Sequence, residues 1–321
     1  MDKFIFYNGS FKKLESFFKK ISSDIIKDLR PLTSNMEKRG GGISSLELVD
    51  LNKKINCYYQ IFVKFNTIDS MGANFINSCL EKIAEVFKFY IEEKKFLDGV
   101  TEKFDIIMSI LSNYTPNCIA KASVNCKVKD LEKNNNLNNT NFVENFIRAV
   151  KISKVDTFRA VTHNKGIMNG IDSVVVATGN DFRSVEAGIH AYASRNGSYS
   201  GLSNAYIRDD SFYFDLTIPI SIGTVGGLTN LHPLVNWAHN LLGNPSAIQL
   251  MQIIAATGLA QNFAALKSLV TTGIQKGHMK MHLLNILNQL GADLIQKNEA
   301  IEYFKANHIT YKNVREYLNK K

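Results

Sequence analysis

The chain has 321 residues, 45% of them hydrophobic, a formal net charge of +9 and four cysteines. That length and apolar content predict a globular protein with room for two domains and a sizeable core. No run of about 18 uninterrupted apolar residues is present, nor the basic, apolar and small-residue succession of a secretory signal, so a cytoplasmic protein is expected. Cys57, Cys79, Cys118 and Cys126 form no Cys-x-x-Cys pair, which excludes a disulfide framework or structural zinc as an expectation and leaves buried thiols; no metal is expected. The basic excess is spread thinly over both ends and interleaved with acids at helical spacing, as on solvated helix faces, so neither a nucleic acid nor a membrane is expected as partner. A phosphate-rich small molecule such as a nucleotide or coenzyme A accounts for the bias equally well.

In chain order, Phe4 to Tyr7 reads as a leading strand and Leu14 to Leu29 as a helix with apolar residues at helical spacing, ending before Pro31. Ile43 to Leu51 and Cys57 to Asn66 read as strands, the second alternating around Tyr59, Ile61, Val63 and Phe65. A helix from Gly72 to Glu93 and a strand from Phe104 to Leu111 complete a βαββαβ, ferredoxin-like succession. Ile119 to Val128 is a further strand, followed by an asparagine-rich polar loop over Glu132 to Asn141 and a helix opening at Val143. Ser173 to Thr178, rich in valine, predicts a buried strand ending at Gly179. Asp181 to Arg195 reads as a helix with Asp181 near its N-terminus. A strand from Phe212 to Ile222, a long helix from Ser246 to Thr272 and an all-helical region through Tyr317 close an α+β chain.

The segment from Arg159 to Gly188 concentrates unusual chemistry. An ammonium at Lys165 and a carboxylate at Asp181 stand among small residues, beside hydrogen-bonding groups at His163, Asn164, Asn169 and Asn180. Such groups point to a binding site, and Gly166, Gly170, Gly179 and Gly188 allow close backbone approach. Each also has an ordinary reading: Lys165 a surface lysine, Asp181 a helix cap, Arg159 an ion-pair partner, His278 a helix-start residue.

Taken together, Arg159 to Asp181, Asp69-Ser-Met-Gly-Ala-Asn74, Ile110-Leu-Ser-Asn113, Gly223-Thr-Val-Gly-Gly227, Gly258-Leu-Ala-Gln-Asn262 and Gly277-His-Met occur in the order and approximate spacing of hydroxymethylglutaryl-coenzyme A (HMG-CoA) reductases. The chain resembles the soluble, microbial class II type of that family from Gly9 onward. The resemblance implies NADPH- or NADH-dependent four-electron reduction of HMG-CoA to mevalonate and coenzyme A, the step that feeds isoprenoid synthesis. It implies catalytic roles for Lys165, which stabilises negative charge developing on the thioester oxygen, for Asp181 in that lysine's hydrogen-bond network, and for His278 as acid to the departing thiolate. Arg159 and Asn169 match polar residues that hold the substrate's acyl part, Asn262 matches a substrate-site amide that joins the catalytic network, and Asn113 is placed where nicotinamide and substrate meet. Asp69, Met71, Gly72, Ala73 and Asn74 match the dinucleotide-binding turn, leading into a helix whose N-terminus suits a pyrophosphate.

The implied architecture is a small ferredoxin-like dinucleotide-binding domain (7–117), a larger mixed α/β domain around a long central helix (118–272) and a C-terminal helical flap (273–321). A homodimer or higher homo-oligomer is likewise implied. The loop from Pro31 to Gly42 carries both Glu37 and Lys38-Arg39 and leaves NADH against NADPH open. One departure stands out: the family's catalytic glutamate, in a Glu-Glu-Pro-Ser-like helix start before the Gly-rich Arg39-Gly-Gly-Gly42, has no match here, since Glu15 and Glu37 are followed by no Pro-Ser. The expectation is a truncated reductase of little or no activity, with a non-catalytic coenzyme A or dinucleotide-binding remnant as the alternative.

Overall fold

The computed structural model describes residues 2–133, 141–227, 229, 231–271 and 273–319. The asparagine-rich loop therefore lies mostly outside the described residues. The chain groups into two compact units, 1–121 with 171–197 and 217–255, and 122–170 with 198–216 and 256–321.

In the first unit, β1 (Asp2–Tyr7), α1 (Phe11–Asp28), α2 (Arg30–Glu37), β2 (Gly42–Asp50), β3 (Tyr58–Asn66), α3 (Ala73–Glu93) and β4 (Phe104–Ile110) follow one another. The strands pair antiparallel in the order β2-β3-β1-β4, the ferredoxin-like arrangement expected. Alternation turns Ile5, Tyr7, Tyr59, Ile61 and Val63 to one face of the sheet. Leu14, Phe18, Ile21 and Ile25 of α1, and Ile76, Leu80, Ile83 and Phe87 of α3, recur every three or four residues and close the core over that face. Pro31 does not stop helical structure; it occupies the first turn of α2, where its missing N–H has no partner to lose.

Beyond the sandwich come β5 (Ile119–Lys127), α4 (Val128–Lys133), α5 (Phe142–Val155), α6 (Thr157–Ala177), α7 (Phe182–Ala193), β6 (Ser203–Arg208), β7 (Ser211–Pro219), α8 (Pro233–Leu241) and α9 (Ala247–Val270). α10 (Ile274–Gln289), α11 (Leu294–Tyr303) and α12 (Tyr311–Asn319) follow, with a small core of their own around Leu283, Leu287, Phe304 and Val314. A three-stranded sheet runs β5-β7-β6. Its β6–β7 hairpin turns on Asp209 and Asp210, both at positive φ (49° and 57°), the mirror-image turn that matches strand twist. β6, α4, α8 and the first part of α6 were not legible as elements in the sequence, and the stretch read as a loop from Pro31 is helical through Glu37, in α2.

Ser173 to Thr178 is not a strand. It is the last turn and a half of α6 and its exit, with Ile171, Val175 and Thr178 buried and Val176 exposed, a helical period rather than an alternation. The β-branched penalty in a helix is a few tenths of a kcal/mol per residue, whereas each buried apolar side chain returns about 1.5–3 kcal/mol. Packing prevails over local preference. α9 is long and apolar enough, by length and composition, to cross a bilayer. Here Leu250, Ile254, Leu259 and Leu266 are buried within protein.

Candidate active site

Within the first unit, the Asp69–Asn74 turn is anchored through Asp69. The backbone oxygen of Asp69 accepts from the N–H of Thr224 (2.8 Å) and of Val225 (3.2 Å), and its Oδ1 accepts from Ala247 N–H (2.8 Å), capping α9. Gly72 precedes α3 at φ 76°, where a Cβ would fall 2.4 Å from Thr67 Cγ2. Only glycine fits there. Among the described residues no side chain caps α3 and its first turn holds no acid, so the first amides of the helix keep their donors for an outside anion.

The Gly223-Thr-Val loop is fastened against this turn: a Cβ on Gly223 would lie 2.4 Å from Met71 N, and its own N–H donates to Asn180 Oδ1 (2.8 Å). Next to Asn180, Asp181 caps α7 by accepting from Arg183 N–H (3.1 Å) and Ser184 N–H (3.3 Å), and it pairs with Arg183 Nε at 3.5 Å. Ser184 Oγ donates to Asn113 Oδ1 (3.0 Å). A cavity of about 500 Å³ opens beside the turn, walled by Asp69, Thr224, His239, Asn244, Ser246 and Gln249. Further along α6, burial and then the hydrogen bond and charge of Glu186 push the Asp172 carboxyl up to about 7.

In the second unit, the first part of α6 sorts its polar residues by face. Asp156 caps the helix, accepting from Phe158 N–H at 2.9 Å. Lys165 and Asn169 are exposed one turn apart, on the face that also carries Phe158 and Val161. His163 and Asn164 point inward, 1% and 0% exposed. Asn164 takes Leu202 N–H on Oδ1 and gives Nδ2–H to Ser200 O, both at 3.0 Å, pinning the chain that leads into β6. His163 Nε2 lies 2.7 Å from Ser203 Oγ, which donates to Asn262 Oδ1 at 2.8 Å. Burial, then the charges of Arg159 and Lys154, press the His163 pKa down to about 3, so the ring is neutral. Gly170 lets α6 meet α9: a Cβ there would lie 2.8 Å from Thr257 O.

Asp69 to Asn74, Asn113 and Asp181 thus meet in one unit; Arg159, Lys165, Asn169 and Asn262 share the other. His278 lies on α10, and its side chain is outside the described residues. Within its own unit Asp181 performs the helix-cap role weighed for it as the ordinary reading. Ser184 and Ser203, and the cavity residues His239, Asn244 and Ser246, were not singled out from sequence. Asn244-Pro-Ser246 before the long helix was the only signal that pointed to any of them, as a helix-start pattern.

Comparison with known proteins shows the family of the chain. The model of the hydroxymethylglutaryl-coenzyme A reductases matches residues 1–283, and the chain belongs to that family. It is 34% identical over 288 residues to a probable 3-hydroxy-3-methylglutaryl-coenzyme A reductase of Borreliella burgdorferi, covering 88% of this chain and 63% of that protein. A reductase of Archaeoglobus fulgidus is 34% identical over 264 residues, 82% of this chain and 56% of its own. The chain therefore spans less than two thirds of these curated relatives. Among solved structures, the Streptococcus pneumoniae reductase superposes with a TM-score of 0.75 at 31% identity, over 99% of this chain and 73% of that one. The class II enzyme of the same organism, bound to NADPH in open conformations, gives 0.73 at 32% identity, over 99% and 75%. The fold is that of the class II reductases, as the motifs implied.

Proposed function

We propose that this chain serves the reaction of its family, reduction of HMG-CoA to mevalonate and coenzyme A with NADPH or NADH, in the cytoplasm. The observation that carries the reading is the convergence, in one unit, of the Asp69–Asn74 turn, the Gly223 loop, Asn180-Asp181 and Asn113. An uncapped helix start behind Gly72 fits a pyrophosphate, so Met71, Gly72, Ala73 and Asn74 would hold the dinucleotide, with Asp69 fixing the turn. When bound, the nicotinamide supplies hydride. Lys165 stabilises the oxyanion that hydride addition creates, Asp181 is the second catalytic residue of the reading, and Arg159, Asn169 and Asn262 hold the acyl part. Asn113 adjoins the reacting centre. His278, on a mobile helical flap formed by α10 to α12, gives the leaving thiolate its proton.

No residue of this chain matches the family's Glu-Pro-Ser glutamate, and the residues present support binding of both ligands. A homodimer completes the reading. It is supported by α8, which exposes Leu234, Trp237 and Leu241 at 70%, 62% and 70% on one stripe, more apolar surface than a solvated helix needs. The test is calorimetry with NADPH, NADH and HMG-CoA, paired with HMG-CoA-dependent cofactor oxidation, on the chain and on Lys165→Ala. Binding of a dinucleotide and of HMG-CoA, with the latter weakened by Lys165→Ala, is expected. Failure to bind HMG-CoA overturns the reading, and dinucleotide binding that persists alone makes the chain a non-catalytic module.

A further inference from the structure

Asn262 is 2% exposed, and its amide has two chemically opposite ends. Which end faces a ligand is decided by what holds the other. Ser203 Oγ lies 2.8 Å from Asn262 Oδ1 and 2.7 Å from His163 Nε2, and all three side chains are buried. A hydroxyl has one proton to give. If Ser203 gives it to Asn262 Oδ1, then His163 is the Nε2–H tautomer and its Nδ1 carries a lone pair. If the chain runs in reverse, Asn262 donates to Ser203, Ser203 donates to His163 Nε2, and the proton of the neutral ring sits on Nδ1.

Nδ1 separates the two cases. It is buried and has no hydrogen-bond partner among the described residues. A buried N–H left without an acceptor is rarer than an under-used lone pair. The charges of Arg159 and Lys154 disfavour a second ring proton, so one nitrogen carries the single proton and the other a lone pair.

We propose that His163 and Ser203 are positioning residues for Asn262: His163 Nε2–H donates to Ser203 Oγ, Ser203 donates to Asn262 Oδ1, and Asn262 is left with only its amide N–H groups to offer. Asn262 then recognises an oxygen acceptor of the acyl substrate, a carbonyl, hydroxyl lone pair or carboxylate, and rejects a donor. The inference rests on the reading that Asn262 belongs to the acyl site. It assigns that residue a direction and gives His163 a task that does not involve proton transfer.

Two measurements test it. Long-range 1H–15N spectra of the full chain give the His163 tautomer directly; Nε2–H is expected, and Nδ1–H overturns the proposal whatever the activity. Calorimetry with HMG-CoA then compares variants at matched folded fraction. Asn262→Asp, which keeps the shape but cannot donate, is expected to weaken binding at least tenfold. His163→Leu and Ser203→Ala are expected to weaken it about tenfold, the worth of one oriented hydrogen bond. His163→Gln, whose amide N–H takes the place of Nε2–H, is expected to restore it to within about threefold of the parent. If Asn262→Asp binds as the parent does, the acyl-site reading of Asn262 fails. If Asn262→Asp loses binding while His163→Leu and Ser203→Ala retain it, that reading stands and the positioning role is refuted.

Discussion

Two buried regions of this molecule are held by opposite means. The core of the sandwich is made of rings and aliphatic chains: Phe87 packs with Phe17, Phe18 and Phe104 at centroid distances of 5.5–6.2 Å, and Ile5, Leu14 and Ile83 fill the space around them. The seam behind α6 buries His163, Asn164, Ser203 and Asn262, each at 2% exposure or less. Apolar contacts are nearly isotropic, so the sandwich depends on volume and tolerates changes of shape that conserve it. Hydrogen bonds are directional, and a buried polar group is costly when its partner is lost. The seam therefore fixes the orientation of chemical groups, which the sandwich core does not.

The largest effect is expected of Phe87→Ala, which removes a fully buried ring. It is expected to cost about 3–5 kcal/mol of unfolding free energy in urea titration, with Phe87→Leu costing under half of that. Equal losses for the two would show that ring geometry, rather than volume, holds the sandwich. The seam is next tested by acid. His163 is neutral in the fold, with its pKa near 3, against about 6.5 in the unfolded chain. Between these values the unfolded chain binds the extra proton, so this contribution is complete above pH 6.5 and is lost as pH falls towards 3. His163→Gln, which cannot take that proton, is expected to flatten the acid limb by on the order of a few kcal/mol; an unchanged limb assigns it to other groups.

Asn164→Ala strands the N–H of Leu202 and the carbonyl of Ser200, and is expected to cost about 2 kcal/mol by the same titration. Asn164→Asp should recover only part, since its carboxylate accepts from Leu202 but repels the Ser200 oxygen. The smallest effect belongs to the exposed cap. Asp181→Ala should cost about 1 kcal/mol of stability and Asp181→Asn almost none. A reductase role for Asp181 further requires both variants to impair HMG-CoA-dependent oxidation wherever the parent's oxidation is measurable. Asn restoring both properties would leave it a helix cap alone.

Much of the sandwich was legible in the sequence because its residues repeat at the period of the element they occupy. Tyr59, Ile61 and Val63 alternate, and Leu14, Phe18, Ile21 and Ile25 step round a helix. Where local preference and packing disagreed, at Ser173 to Thr178, the reading failed. β6 was missed for another reason: Ser203 to Arg208 carries an apolar run of only three residues, Ala205 to Ile207, and its turn is Asp-Asp in place of the Asn-Gly that announces a hairpin. At the candidate site, the types and order of Lys165, Asp181, Asn262 and the Asp69 turn were visible in the chain. Ser184 and Ser203 gave no signal, since a serine acquires its role only from what lies opposite.

The class of fold, the family and the chemical groups on offer were readable along the chain, because periodicity and motif order are properties of neighbours in sequence. That α6 runs unbroken through its valines, that Asp69 ties the turn to α9, and that His163, Ser203 and Asn262 form one connected chain of hydrogen bonds emerged only in three dimensions. Burial and hydrogen-bond direction depend on partners 40 to 178 residues away in the sequence, which meet only when the core has closed.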